Sequence, residues 1–405
     1  MNTRVLSEGA LAHDHPLAVR LLLNIGHGLD HMFLLIFAAA VGVIAADFGF
    51  QNWEDLMPYG VGAFFLFGIG SLPAGRLGDL WGRRRMMLVF FFGMGVAAIL
   101  ASVTQNAWQL AGALALIGAF ASIYHPVGIP MLVQRTEKPG ITIGINGLAG
   151  NLGVALAALA TGFLIKWMGW RAGFAVPGVL ALVCGVWFAS VCPAETEAPA
   201  LRKGGAKVVL PRAALARVLV VMTAAAITGS LLFNFTTNGN MQLMVERFQG
   251  VVEDPAVLGA LLATIYAVAS LAQMVFGRLA DRVSLKPLFL LVIVGQIPLL
   301  ALAAQAQGWW LFGALLGAMV FIFGAIPFVD MIIVRYVDDR VRSRVAGIRL
   351  TVSFGISSLA VWLLGPVVKG AGFDTLLWLM VGLAVCTSLV VLMLPNEAAA
   401  ESDAG

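Results

Sequence analysis

Twelve long apolar runs, separated by short polar segments, make up most of this chain of 405 residues. A helix needs roughly 20 apolar residues to cross the ~30 Å hydrocarbon core of a bilayer. The runs predict helices near 17–46, 54–75, 86–104, 108–133, 141–166, 171–192, 214–245, 256–277, 286–305, 309–335, 345–368 and 373–394. Many Trp residues fall near the predicted ends, as in the interfacial belts of membrane proteins. We therefore predict an all-α integral membrane protein of twelve transmembrane helices.

A charged turn occurs once in each set of six helices. The first copy begins at Gly75 and the second begins about 200 residues later, at Gly277. A repeated turn at one offset indicates two related halves. We expect Gly75 and Gly78 to allow a tight helix exit. The residues of the two turns that we expect to act in conformational gating are Gly75, Asp79, Gly82, Arg83, Arg84, Gly277 and Asp281.

The predicted domains follow from this duplication. An N-terminal bundle of six helices covers 17–192, and a pseudo-symmetric C-terminal bundle covers 214–394. Between them, 193–213 is a polar linker with several charges, which we expect to be cytoplasmic. Residues 1–16 and 395–405 are polar tails, and the first tail has no pattern of a cleaved signal peptide.

The first charged turn resembles the signature between helices 2 and 3 of the Major Facilitator Superfamily, Gly-x-Leu-x-Asp-x-x-Gly-Arg followed by a basic residue. The second copy departs from that signature at Ser284, where the pattern has Gly. The resemblance covers essentially the whole chain and implies two six-helix bundles around a central cavity. Gly150-Asn151-Leu152-Gly153 and Tyr124-His125-Pro126 resemble the fosmidomycin-resistance branch of drug exporters. The predicted fourth helix lacks the arginine that many proton antiporters carry there, which leaves the coupling mechanism open.

Composition and charge agree with a membrane location. The chain is 60% hydrophobic and 11% charged, with a mean hydropathy of +0.94, whereas soluble domains are about 25% charged. The formal charge of +4 does not indicate nucleic-acid binding, because the Lys and Arg residues concentrate on one side of the predicted membrane. The basic residues predicted on the other side are Lys166, Arg171, Arg247 and Lys369. This bias predicts an inner-membrane protein with both termini in the cytoplasm.

A polar stripe interrupts the first predicted helix. His27, Asp30 and His31 are spaced i, i+3, i+4 and therefore share one helical face. An ionisable group at the bilayer centre costs at least about 2.5–3.5 kcal/mol, so this stripe should face inward. Three interpretations remain open: a proton-coupling site, a structural cluster, or a transition-metal site. The first is our prediction, and we expect no metal and no cofactor, since no further Cys or His lies nearby in the sequence.

The remaining candidate residues are spread over several helices. Asp330 follows Pro327 in the second half and is predicted to act in proton coupling, at a depth comparable to that of His125. The predicted substrate-binding residues are His125, Asn151, Asn234, Asn238 and Arg349. Amides and hydroxyls in the helix near 214–245 either bind a polar ligand or line the outer mouth of the cavity. Arg349 either binds an anionic group or is a cytoplasmic positive-inside charge.

Together these features predict a proton-coupled secondary transporter that works by alternating access and exports a small organic compound or drug. Uptake of a small metabolite such as an organic acid or sugar is the alternative, and a non-transporting membrane sensor or assembly factor is a second. No Walker-type loop, His-Glu-x-x-His or Gly-x-Ser-x-Gly motif occurs, so we do not expect an ATPase or another enzyme. The expected partners are a small-molecule substrate, protons and the lipid bilayer, without nucleic acid, and the protein is expected to be a monomer.

Overall fold

The structure is a computed structural model that describes residues 16–133, 139–194, 212–280, 282–336 and 339–394. Within these ranges the chain forms helices and no strand. The helices of the first half are α1 (Leu17–Asp47), α2 (Val61–Trp81), α3 (Arg83–Ser102), α4 (Ala107–Ala121), α5 (Ile129–Val133), α6 (Pro139–Met168) and α7 (Trp170–Val191). Those of the second half are α8 (Arg212–Arg247), α9 (Pro255–Ala280), α10 (Leu285–Gln305), α11 (Gly308–Tyr336) and α12 (Asp339–Val391).

Twelve crossings of the membrane result from these helices. Helix α4, a π-helical turn at Tyr124–Gly128 and α5 together form one apolar crossing. Helix α12 is long enough for two crossings and contains Gly372 at a φ of 77°, where the helix is interrupted. In the described ranges, eleven stretches are long and apolar enough to span a membrane, and the last, Thr351–Val391, has 41 residues and includes Gly372. The predicted number of transmembrane helices is confirmed.

The two halves repeat the same helix pairings. In the first half α1 packs on α6, α2 on α4 and α3 on α7. In the second half α8 packs on α12, α9 on α11 and α10 on α12, which is the same order of contacts. The halves meet where α6 contacts α9, α2 contacts α12 and α1 contacts α8. These pairings are those of two pseudo-symmetric bundles, as the repeated turn predicts.

The outer surface of the bundle is apolar, as a lipid-facing surface must be. Large side chains such as Val96, Val183, Leu291 and Leu389 are exposed on the helices. Trp108, Trp167 and Trp310, close to helix ends, are each more than 70% exposed. Indole rings at such positions suit the interface between lipid and water.

The first charged turn differs from its prediction. Helix α2 continues to Trp81 and α3 begins at Arg83, so the turn consists of Gly82, whose φ of 94° favours glycine. Gly75 and Gly78 therefore lie inside α2, and the prediction that they form a helix exit is wrong. They permit close packing instead, because added Cβ atoms would lie 3.2 Å from Cβ of Pro126 and 2.8 Å from Cγ2 of Val127.

The basic residues that follow this turn connect α3 to α5 and α7 by hydrogen bonds. Arg84 donates hydrogen bonds of 2.8 Å to the carbonyl oxygens of Ala189 and Cys192, at the carboxyl end of α7. Arg83 donates to the carbonyl oxygen of Pro130 at 3.3 Å. Cations at the end of a helix offset its unpaired carbonyl groups and its dipole.

The second turn is built differently. Ser284, at the position of Gly82, has a φ of −57°, and a Cβ at Gly277 would meet nothing within 4 Å. Asp281 lies outside the described residues, as does the side chain of Asp79. Most of the predicted linker, 195–211, and nearly all of both predicted tails also lie outside them. The gating role of the two turns stays a prediction.

Candidate functional site

The polar stripe of α1 faces the interior, as its spacing predicts. Asp30 is completely buried, His27 is 5% exposed and His31 is half-buried. The Nε2 atoms of the two imidazoles lie 3.2 Å apart. The bundle thus keeps these side chains away from lipid, where an ionisable group would be costly.

The π-helical turn adds a third histidine to this stripe. Pro126 has no N–H to donate, and the helix widens here from an α-helical to a π-helical turn. His125 is thereby placed with its ring centroid 5.0 Å from that of His27 and 5.6 Å from that of His31. Its Nε2 atom lies 3.6 Å from Oδ2 of Asp30. We call His27, Asp30, His31 and His125 the histidine cluster.

The carboxylate of Asp30 is the unusual member of the cluster. Neither of its oxygens accepts a hydrogen bond from the residues that the structure describes, although both are buried. A buried carboxylate is ordinarily hydrogen-bonded or ion-paired, because water no longer solvates it. The contact to His125 is too long for a strong hydrogen bond. Asp30 is therefore positioned to exchange a proton or to receive a cation.

A hydrogen-bond network fixes the orientation of His27. Its Nδ1 atom lies 2.7 Å from the carbonyl oxygen of Asn146 on α6, so Nδ1 must carry the proton and donate it. Nε2 of the neutral ring is then an acceptor, and His31 donates to it. The Asn146 side chain donates to the Tyr124 hydroxyl at 2.7 Å and to Oδ1 of Asn24 at 2.9 Å. The predicted site residues did not include Asn146 or Tyr124. The feature that could have indicated them is a polar side chain within an apolar run.

Glycines let α1 and α6 approach closely enough for this network. A Cβ at Gly150 would lie 2.6 Å from Cε1 and 2.7 Å from Nε2 of His27. A Cβ at Gly153 would overlap the carbonyl oxygen of Gly28. On its other side, the His27 ring stacks on Tyr124 at 4.7 Å with an interplanar angle of 13°. His27 is thus held between the backbone of α6 and an aromatic ring.

An aromatic pair joins the histidine cluster to the boundary between the halves. The rings of Phe67 on α2 and Phe354 on α12 lie 4.2 Å apart, centroid to centroid. Each lies about 6 Å from the His125 ring, at 5.8 and 5.9 Å. His125 and His31 are partly exposed here, and the His125 side chain retains 15% of its accessible surface. A packed aromatic contact and titratable groups therefore meet where the two halves contact each other.

The other predicted binding residues take part in helix packing. Asn151 donates a hydrogen bond to Gln273, which joins α6 to α9 across the halves. Asn234 donates to Ser357 at 2.7 Å, and Asn238 donates to the carbonyl oxygen of Asn234 at 3.0 Å. All three asparagines are buried rather than exposed at a mouth. The side chains of Asp330 and Arg349 lie outside the described residues, and the binding roles stay predictions.

The four basic residues predicted on the less basic side each pair with an acid. Lys166 binds Asp254, Lys369 binds Asp55 with a contact of 2.7 Å, Arg171 binds Asp47 and Arg247 binds Asp374. The first two pairs join the two halves, whereas the last two lie within one half. Hydrogen bonding from Lys166 holds the pKa of Asp254 below its usual value, so this carboxylate stays ionised at neutral pH.

Comparison with known proteins supports the fold. The sequence profile of the Major Facilitator Superfamily matches residues 23–253. The multidrug resistance protein MdtG of Escherichia fergusonii is 28% identical over 298 residues, which cover 69% of this chain and 70% of that protein. The probable actinorhodin transporter of Streptomyces coelicolor is 29% identical over 190 residues, or 44% of this chain and 33% of that protein.

A solved structure shares the fold over most of the chain. The crystal structure of a D-xylose–proton symporter has a TM-score of 0.75 at 14% identity and covers 94% of this chain and 98% of that one. The profile match covers more than half of the sequence and includes the histidine cluster. The resemblance inferred from the charged turn is thus confirmed at the level of the superfamily, while the fosmidomycin-resistance branch stays a prediction. The chain belongs to the Major Facilitator Superfamily.

Proposed function

We propose that this protein is a proton-coupled transporter that exports a small amphipathic organic compound by alternating access. The observation that carries the proposal is Asp30, a fully buried carboxylate without a hydrogen-bond donor among the described residues, 3.6 Å from His125. A group in this position changes its protonation only when the surrounding helices rearrange or water enters. That property links proton binding to conformation.

The neighbouring surface indicates the class of substrate. Phe67 and Phe354 present aromatic rings from opposite halves beside His125. An aromatic compound that inserts between these rings as the halves separate contacts both halves at once, and a positive charge on it is attracted by ionised Asp30. Binding of the compound and protonation of Asp30 therefore compete. The name of one relative, a multidrug resistance protein, favours export over uptake.

The charge distribution supports an orientation. The face with the four ion pairs is the less basic one, which the positive-inside rule places outside the cytoplasm. Lys166–Asp254 and Lys369–Asp55 join the halves on that face. These two pairs must separate when the binding site opens outward. In this orientation both termini are cytoplasmic, and the protein lies in the inner membrane.

Reconstituted protein tests the coupling. Proteoliposomes that contain a pH-sensitive dye are given a proton gradient, and ethidium, an aromatic cation, is then added. We expect ethidium flux coupled to proton flux in the opposite direction, and we expect Asp30→Asn to abolish both. The matched control is Glu253→Gln, which changes an exposed acid near the start of α9 and keeps both fluxes. Proton-driven ethidium flux that persists in Asp30→Asn would refute the assignment.

The predicted proton site of the second half is tested in the same vesicles. Asp330→Asn changes no member of the histidine cluster, so a loss of coupling in this variant reports a second proton. If proton flux per ethidium is the same in the wild type and in Asp330→Asn, coupling depends on the first half alone.

A further inference from the structure

We propose that the histidine cluster binds a divalent transition-metal ion, of the class that includes Zn²⁺ and Co²⁺. His27, His31, His125 and Asp30 would each provide one ligand. The proposal concerns the same residues as the proton site, but it requires only binding and does not depend on transport.

The distances between the imidazoles suit a tetrahedral metal. Each of the three histidines has a ring nitrogen within 4.8 Å of those of the other two. The Nε2 atoms of His27 and His31 are 3.2 Å apart. Two nitrogens bound to one Zn²⁺ at 2.0–2.1 Å with a tetrahedral angle are separated by roughly 3.3 Å. The two rings on α1 therefore already have the separation of a chelating pair.

The surroundings of His27 have the form of a second ligand shell. A metal-bound histidine usually donates its other N–H to a carbonyl or carboxylate, which fixes the tautomer and the ring. His27 does so through Nδ1 to the Asn146 carbonyl oxygen, and this leaves Nε2 directed at His31. Gly150 and Tyr124 hold the ring from its two sides. Little reorganisation of His27 is needed before a metal binds.

The unsatisfied carboxylate of Asp30 is a second, independent observation that indicates a cation. Its oxygens are buried and accept no hydrogen bond from the described part of the chain. A carboxylate 3.6 Å from Nε2 of His125 offers an anionic ligand on the third histidine's side of the cluster. Three imidazoles and one carboxylate are ligands that suit Zn²⁺, Co²⁺, Ni²⁺ or Cu²⁺, whereas Mg²⁺ and Ca²⁺ favour oxygen. The His125 side chain, which retains 15% of its accessible surface, gives an ion access.

Competition with protons follows from the same chemistry. Histidine ligands must be neutral and the carboxylate must be ionised before they bind a metal. Protons that occupy the cluster therefore exclude the metal, and metal binding releases protons.

Cobalt absorption tests the site directly. The protein is purified without a histidine tag, in a His13→Ala, His15→Ala background, because these are the other two of the five histidines. Titration with Co²⁺ at pH 7.5 is expected to give the intense visible bands of a four-coordinate ion, saturating at one equivalent and disappearing when Zn²⁺ is added. His31→Gln and His125→Gln are each expected to weaken binding at least about 100-fold.

Several results would overturn the proposal. They are the absence of these bands, saturation at other than one equivalent, or unchanged bands in the double variant His31→Gln, His125→Gln. X-ray absorption of the wild-type Co²⁺ complex needs no variant and must show imidazole ligands. Ethidium transport measured with a chelator present separates the two proposals. Transport without metal binding overturns only this one, and metal binding without transport overturns only the proposed function.

Discussion

Gly150→Ala should disable the histidine cluster without changing any of its four members. The new Cβ would lie 2.6 Å from Cε1, 2.7 Å from Nε2 and 2.8 Å from Nδ1 of His27. Ordinary van der Waals contact needs at least about 3.4 Å, so the ring or α6 must move by nearly 1 Å. Movement of the ring breaks its hydrogen bond to Asn146 and separates its Nε2 from His31. Tyr124 on the opposite side of the ring limits how far it can retreat.

The size of the effect follows from opposing contributions. Overpacking a closely packed site costs about 1–3 kcal/mol, and an unpaired buried hydrogen-bonding group costs about 1–3 kcal/mol. Alanine in place of glycine within a helix stabilises the folded state by about 0.8–1.0 kcal/mol. The net expectation is a loss of about 1–5 kcal/mol in the free energy of unfolding. A displacement of about 1 Å at a site that must be accurately positioned also lowers the transport rate, by up to about 100-fold.

Gly147→Ala on the same helix is the matched control. A Cβ at Gly147 meets nothing within 4 Å, so this variant keeps its activity and is as stable as the wild type or more stable. Thermal unfolding in detergent measures the loss of stability, and proton-coupled ethidium transport measures the loss of transport rate. If Gly150→Ala matches Gly147→Ala in both measurements, the packing of His27 against α6 is not what positions the cluster.

Other predictions concern the charged turn and the less basic face. Gly82→Ala places a side chain at a φ of 94°, which costs about 1–3 kcal/mol and lowers the melting temperature. Gly277→Ala is the control, because its new Cβ meets nothing within 4 Å and the melting temperature stays unchanged. Arg84→Gln leaves the carbonyl groups of Ala189 and Cys192 without their guanidinium partner and destabilises the fold by about 1–3 kcal/mol. Thermal unfolding measures this loss. An unchanged melting temperature would mean that water fully replaces the guanidinium. Asp55→Asn removes one ion pair between the halves, worth about 0.2–1 kcal/mol, and raises the outward-open population about 1.4- to 5-fold in spin-label distance measurements. Asp47→Asn, which breaks a pair within one half, leaves that population unchanged, and equal shifts in both variants would contradict the assignment.

Local physics allowed the sequence to predict the crossings. A bilayer satisfies no backbone hydrogen bonds, so each apolar run of about 20 residues must be a helix regardless of its neighbours. The helices near 171–192 and 286–305 are therefore found as Trp170–Val191 and Leu285–Gln305. The spacing of His27, Asp30 and His31 likewise determines that they share a face, because it depends only on the pitch of one helix. The repeated turn indicated the two halves because duplication leaves the same pattern twice.

Contacts between distant helices were decided only by the tertiary structure. His125 joins His27 and Asp30 because a π turn rotates it inward and α4 lies beside α1, and neither fact can be read from a run of apolar residues. Gly75 and Gly78 continue a helix instead of ending it, since their missing Cβ atoms accommodate Pro126 and Val127. In the same way Gly150 accommodates the ring of His27. The physical reason is that hydrophobicity determines whether a segment enters the membrane, whereas its neighbours are determined by the fit of side chains that are far apart in the sequence.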